Sequence, residues 1–399
     1  MHCTRQVTDT VVWVGASDRR LAKFENLFPI PRGVSYNSYL IRGAKNVLMD
    51  TTDDSVGARF LENVRAALQG GALDYIVVQH MEPDHAATLV QTLRVYPSAT
   101  VVCNAKTAEM MQRFFGADAP TNLLIVKDGE TLDLGDRQLQ FIFAPMVHWP
   151  EVMVTYDSKD KILFSADAFG SFGAIDGGLF DDEVDFERDW LDDARRYYVN
   201  IVGKYGAPVQ TLFRKTAALD IAMFCPLHGI VWRSNLCEIC NKYQAWSTYT
   251  PEQSGVWIAY ASMYGNTQNL ADVLACRLTE RGVKGVKVCD ISVTDMSELT
   301  ANAFRYSHTI LLAPTYNGEM YPMAETLIGD LRRLGLRNRT FALADNGTWA
   351  ATAGKQMRTM LEGMKDSRIL DATVSIRSAL QESDAEAVDA FVEAVVQSL

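Results

Sequence analysis

The chain of 399 residues is long enough for two hydrophobic cores, and so for two domains that fold without disulfide or metal staples. Its 38 basic and 49 acidic side chains leave a formal charge of −11, which repels phosphate backbones and anionic lipid and argues against nucleic acid or a membrane surface as partner. The seven scattered cysteines form no disulfide framework and the N-terminus has no apolar leader-like run, so a soluble, cytoplasmic protein is expected.

From Tyr39 onward, short apolar runs of strand length follow one another: Tyr39–Ile41, Asn46–Met49, Tyr75–Val78, Thr100–Cys103, Leu139–Phe143, Val152–Tyr156 and Lys161–Phe164. Helix-like stretches at Val56–Leu68 and Ala86–Leu93 lie between some of them, whereas others are joined only by turns. That mixture predicts a two-sheet α/β sandwich instead of a regular βαβ series. The polar stretch Ser247–Gly255 then marks a boundary, giving a first domain over 1–250 and a second over 251–399. Beyond it strands at Val256–Ala261, Val286–Ile291, Thr309–Ala313, Phe341–Ala344 and Ala372–Ile376 alternate with helices at 267–280, 324–334, 355–363 and 384–397. Such alternation predicts a doubly wound parallel sheet with its ligand crevice at the carboxyl ends of the strands.

The densest chemistry is His80-Met-Glu82-Pro-Asp84-His85, directly after the run Tyr75–Val78. In an extended segment alternate side chains share a face, so His80, Glu82 and Asp84 can point together, with His85 joining where the chain turns. Pro83 favours extended geometry at Glu82. His148, Asp167 and His228 each follow a strand-like run, and strands ending on one edge of a sandwich would bring them to the same place. Four imidazoles and three carboxylates suffice for two metals, each taking two imidazoles and one terminal carboxylate while the third carboxylate bridges. Two divalent cations against three carboxylates and a bridging hydroxide also leave a nearly neutral buried cluster. His2 and His308 fall outside this pattern. Cys237-x-x-Cys240 supplies only two of the four thiolates a metal site wants and reads as two cysteines on a helix.

These residues resemble the metallo-β-lactamase superfamily, with Glu82 standing where that signature usually has a third histidine. The Glu form, with His148, Asp167 and His228, is similar to the flavodiiron branch. The resemblance extends through Ser35–Leu40, Leu48–Thr51, Leu179–Glu183 and Arg196–Tyr198. It implies an N-terminal metallo-β-lactamase-like αββα sandwich in which His80, Glu82 and His148 hold one iron, Asp84, His85 and His228 hold the other, and Asp167 bridges them. Tyr197 would stand close enough to donate a proton or hydrogen bond, or would simply pack.

In the second domain the strand Val256–Ala261 runs into Ser262-Met263-Tyr264-Gly265-Asn266-Thr267 and then a helix. Hydroxyl and amide groups at a helix N-terminus offer donors to a phosphate monoester, and the loop lacks both a P-loop lysine and spaced dinucleotide glycines. FMN fits better than ATP, NAD or FAD. The loop resembles that of flavodoxins, and the resemblance makes Pro314-Thr315-Tyr316-Asn317-Gly318 and Asn346-Gly347-Thr348-Trp349 the borders of the isoalloxazine ring, with Trp349 as a stacking residue.

A di-metal centre alone could be a hydrolase, and an FMN domain alone an electron carrier; their fusion favours reduction of a small molecule that needs electrons in number. The resemblance, which covers nearly the whole chain, implies a reductase of dioxygen, nitric oxide or both. It also implies an external donor, rubredoxin first with a reduced deazaflavin as alternative, and a head-to-tail homodimer or dimer of dimers.

Overall fold

The computed structural model describes residues 1–399. The chain divides into two compact units, one of Met1–Tyr198 with Ala207–Tyr243, the other of Val199–Gly206 with Gln244–Leu399.

The first unit is built on two sheets. A seven-stranded sheet runs in chain order through Arg5–Gln6, Val11–Trp13, Tyr39–Ile41, Val47–Met49, Tyr75–Val77, Thr100–Cys103 and Leu123–Ile125. A five-stranded sheet runs through Thr131–Asp133, Gln138–Phe143, Met153–Asp157, Ile162–Phe164 and Met223–Cys225. Alternation decides what each face covers. Val11, Trp13, Tyr39, Ile41, Val47, Met49 and Val77 meet Leu139, Phe141, Met153, Ile162, Phe164 and Met223 in a core between the sheets. Their neighbours Val12, Leu40, Leu48 and Ile76 point the other way, onto Phe60, Val64 and Leu68 of the helix Gly57–Leu68 and onto Leu89 and Met111. Strands buried on both faces account for the short unbroken apolar runs in the sequence.

Register places the site. Ile162–Phe164 pairs in parallel with Met223–Cys225, Phe164 opposite Cys225, so both strands end on one edge. Met153–Asp157 runs antiparallel to Ile162–Phe164 and to Gln138–Phe143, so the loop from Phe143 to Met153, which carries His148, turns over that same edge. In the larger sheet Val47–Met49 and Tyr75–Val77 are parallel, and both chains leave toward Asp50 and His80.

The expected single helix over Ala86–Leu93 is two pieces, Pro83–Ala86 and Leu89–Val95. Proline at the first helical position starts the short piece, and Thr88 breaks the run by hydrogen bonding to both backbone groups of Thr52. Asp84 is therefore in a helical turn and not on the extended segment with His80 and Glu82, which changes the face it presents.

The second unit is a parallel sheet whose strands stand in the order Val286–Asp290, Gln253–Tyr260, Tyr306–Tyr316, Thr340–Asn346, Arg368–Ile376. That is the doubly wound order 2-1-3-4-5, with a switch point between the first and third strands. Leu270, Leu274 and Leu278 of the helix Asn266–Glu280 and Phe391, Val392 and Val395 of Ala385–Ser398 close one core over Ile258, Ile310 and Val374. A further helix, Met296–Arg305, was not among the expected elements; Asp295 caps it by accepting from Ser297 N. No helix of the chain is long and apolar enough to cross a membrane.

Candidate metal centre and flavin cleft

All seven expected ligands converge, in two groups: His80, Glu82, His148 and Asp167, and Asp84, His85 and His228. Asp167 faces both. Its Oδ2 lies 3.1 Å from His80 Nε2 and 3.4 Å from His148 Nε2, while its Oδ1 lies 3.4 Å from His85 Nε2 and 3.6 Å from His228 Nε2. Glu82 Oε2 closes the first group at 3.2 Å from His80 Nε2 and 3.0 Å from His148 Nε2. Asp84 Oδ2 closes the second at 3.4 Å from His85 Nε2 and 3.2 Å from His228 Nε2. Each group thus offers two imidazoles and one terminal carboxylate oxygen, with one oxygen of a shared carboxylate.

The donors are buried, yet both oxygens of Asp84 and of Asp167, both ring nitrogens of His85 and Nε2 of His228 have no hydrogen-bond partner. Buried polar atoms are nearly always satisfied, so this concentration of orphans fits cations that accept those lone pairs. The charges agree. Burial opposes ionisation of Asp167, but the neighbouring imidazoles hold it well below the usual carboxylate range. Burial likewise works against charged His148, yet Asp167 and Glu82 push it up to about 9. Asp84 is pushed up to about 7 by burial and by the acids around it. A pocket of this kind either binds protons or exchanges them for metal.

The surrounding motifs hold the ligand loops. His228 Nδ1 donates to Ser35 O at 2.8 Å, and Ser35 Oγ accepts from Gly229 N at 2.8 Å. Asn37 Nδ2 donates to the carbonyls of Pro226 and Gly229, tying the His228 loop to the large sheet. Asp50 accepts from Gln79 N at 2.7 Å and from His80 N at 3.3 Å, and Thr51 Oγ1 donates to His85 O at 2.7 Å. The Tyr197 ring packs 5.5 Å from that of His228, and its buried hydroxyl has no partner. Burial and then the Asp167 charge raise its pKa well above the ordinary phenol value, so it keeps its proton.

Two acids beside the centre escaped the sequence reading. Glu151 accepts from His80 Nδ1 at 2.7 Å. Glu25, in the turn joining the paired segments Lys23–Phe24 and Phe28–Pro29, is exposed as a residue, but desolvation of its carboxyl where it faces Glu82, together with the repulsion between the two acids, pushes it up to about 7. Glu151 stands three places after His148 in the sequence, but nothing local marks either acid. His308 lies outside the centre, bonded to Ser307 and Ser398, and Cys237 and Cys240 are free thiols.

In the second unit a cleft of about 600 Å³ opens at the carboxyl ends of the strands. Every residue expected at the flavin lines it except Gly265, and Ala350 and Ser378 complete the wall. Gly265 instead occupies φ +91° at the N-cap of Asn266–Glu280, where its N–H binds Ser262 Oγ and no side chain caps the first turn. Uncapped N–H groups facing a cleft fit a phosphate. Tyr264 and Trp349 are over nine-tenths exposed at its rim, and large bare rings fit stacking on a planar heterocycle.

A di-metal pocket in an αββα sandwich, carried in one chain with a flavodoxin-type sheet, defines a redox protein of two modules. Comparison with known proteins agrees. Residues 34–229 match the ODP family beta lactamase model and residues 258–390 match Flavodoxin. The anaerobic nitric oxide reductase flavorubredoxin of Klebsiella pneumoniae is 34% identical over 361 residues, 89% of this chain and 74% of that protein. The rubredoxin oxygen:oxidoreductase of Desulfovibrio gigas superposes with a TM-score of 0.90 at 25% identity, covering 99% of this chain and 98% of its own. The flavodiiron protein of Giardia intestinalis gives 0.93 at 25% identity, covering 100% and 97%. The chain belongs to the flavodiiron protein family.

Proposed function

We propose that the chain is an oxidoreductase that takes electrons from an external redox partner, carries them through FMN in residues 251–399, and delivers them to a di-iron site in residues 1–250 that reduces dioxygen to water, nitric oxide to nitrous oxide, or both. The observation that carries this reading is the pairing of two three-donor groups across Asp167, in a chain that also holds a phosphate-and-ring cleft. When bound, the flavin and the irons would supply electron storage and transfer.

The residues do the rest. His80, Glu82 and His148 would hold one iron, Asp84, His85 and His228 would hold the other, and Asp167 offers one oxygen to each group. Tyr197 holds a proton at its hydroxyl beside the His228 half, and Phe24 and Phe172 pack around it to exclude water. In the cleft the Ser262–Thr267 loop would bind the phosphate, while Pro314–Gly318 and Asn346–Trp349 would border the ring. Rubredoxin, or a reduced deazaflavin, is the donor; the working unit is a head-to-tail homodimer or dimer of dimers; and the reducing cytoplasm, in keeping with free thiols, is its compartment.

A hydrolase or a plain flavin carrier would use only half of these features. Anaerobic reduction of the FMN- and iron-loaded chain, followed by exposure to each gas, tests the proposal: at least one gas should reoxidise the flavin over several turnovers. Reoxidation by neither, or ester turnover indifferent to flavin loss, would point to the hydrolase.

A further inference from the structure

Glu151 is 1% exposed and belongs to neither ligand group. Its Oε1 accepts from His80 Nδ1 at 2.7 Å and from Met81 N at 2.9 Å. Its backbone carbonyl accepts from Asn104 Nδ2 at 2.5 Å, and Asn104 caps the helix Ala105–Phe115 by accepting from Thr107 N at 3.0 Å. The carboxylate is therefore anchored through its side chain and its main chain. His80 Nε2 faces Glu82 and Asp167, so the ring proton of a metal-bound His80 must sit on Nδ1, aimed at Glu151.

The other half has no hydrogen-bonded counterpart, although the Asp50 charge acts on His85. His228 Nδ1 meets a neutral carbonyl, that of Ser35, and His85 Nδ1 is buried with no partner. Asp50 spends its oxygens on the backbone N–H groups of Gln79 and His80 and on the Gln79 amide, and none on an imidazole. An imidazole that donates its second N–H to a buried carboxylate is oriented, and the nitrogen facing the metal becomes more basic; a carbonyl does this more weakly.

Resting on the di-iron reading above, we propose that Glu151 is a positioning residue that fixes His80 as an Nε2 donor and makes the two metal positions unequal, the His80–Glu82–His148 position holding its divalent cation more tightly than the Asp84–His85–His228 position. Loading is then ordered, with the His80 half filled first.

The test is anaerobic titration of the metal-depleted, FMN-loaded full-length chain with ferrous ion against a competing chelator, with Mössbauer spectra of the product. The wild-type chain should load in two phases. Glu151→Gln, which keeps an acceptor for Nδ1 but removes the charge, should weaken the tight phase about 10–100-fold, leave the weak phase unchanged and alter the signal of one iron of the pair, with FMN content constant. Equal weakening of both phases, or no change in either, overturns the proposal. Independently of whether that variant folds, His228→Ala should retain a tightly held iron and His148→Ala should lose it; the reverse order overturns it too. A wild-type chain that takes up no iron at all would instead overturn the di-iron reading itself.

Discussion

Asp167 is the residue on which the most geometry depends, since its two oxygens face different halves of the centre. Asp167→Ala should leave FMN bound, lower iron below two per chain and abolish gas reduction; metal analysis beside flavin absorbance checks this, and unchanged turnover would sink the bridging role. Thiol chemistry gives a second test, away from the centre. Burial pushes Cys103 up to about 12 and Cys240 up to about 11, while Cys3, Cys237 and Cys276 are exposed. Because the thiolate is the nucleophile, at pH 8 only about one Cys240 in 10³ is reactive, and its labelling should rise about tenfold per pH unit toward 11. Iodoacetamide and mass spectrometry should find Cys3, Cys237 and Cys276 labelled first and Cys103 and Cys225 only on unfolding. The convergence of the seven side chains was legible because His80–His85 is a local cluster and His148, Asp167 and His228 follow strands that end on one edge. Glu151 and Glu25 were not, because a lone acid acquires its role only from what the fold sets against it, here His80 and Glu82.

Among the elements, the apolar runs expected from Tyr39 to Phe164 are strands to within a few residues, whereas Arg5–Gln6, Val11–Trp13, Leu123–Ile125 and Thr131–Asp133, short or flanked by polar residues, belong to the same two sheets and were not expected. The helices at Ala105–Phe115 and Met296–Arg305 were missed although Asn104 and Asp295 are polar caps of the expected kind: Ala105–Phe115 buries only Thr107 and Met111, and Met296–Arg305 buries Ser297, Thr300 and Asn302 beside Leu299 and Phe304, so neither buried face is a plain apolar stripe. Packing between elements sets sharper limits than the pattern reveals. A Cβ on Gly15 would lie 2.2 Å from Tyr36 O and 2.9 Å from Asn37 Cα, in the segment that braces the His228 loop. Gly15→Ala should therefore cost about 1–3 kcal/mol and lower the iron content, read by melting and metal analysis. At the cleft, Trp349→Ala removes an exposed ring positioned to stack on the flavin, and should weaken FMN by about tenfold, or ~1.4 kcal/mol, in a fluorescence titration. The Asp345-Asn346-Gly347-Thr348-Trp349 segment lines that cleft through its last four residues, with Asn346 held by donation to Ser378 O at 2.9 Å.

At the scale of the whole molecule, function lies in having both sites on one chain. Neither a di-metal pocket nor a flavin cleft specifies reduction of a gas, since each occurs alone in proteins of other activity. Reducing dioxygen to two waters takes four electrons and coupling two nitric oxide molecules takes two, so a centre that must receive them in sequence gains from a flavin in the same polypeptide. The order of the two modules was readable from the switch between mixed and regular βα alternation near residue 250. The preference between the gases was not, because small apolar molecules are sorted by pocket shape and by rates that no motif encodes. The most direct test is anaerobic stopped-flow of the reduced chain, with FMN and iron quantified, against dioxygen and separately against nitric oxide. Rapid flavin reoxidation by at least one gas over repeated turnovers, lost in Asp167→Ala, is the predicted result; oxidation by neither in a chain holding two irons would contradict it.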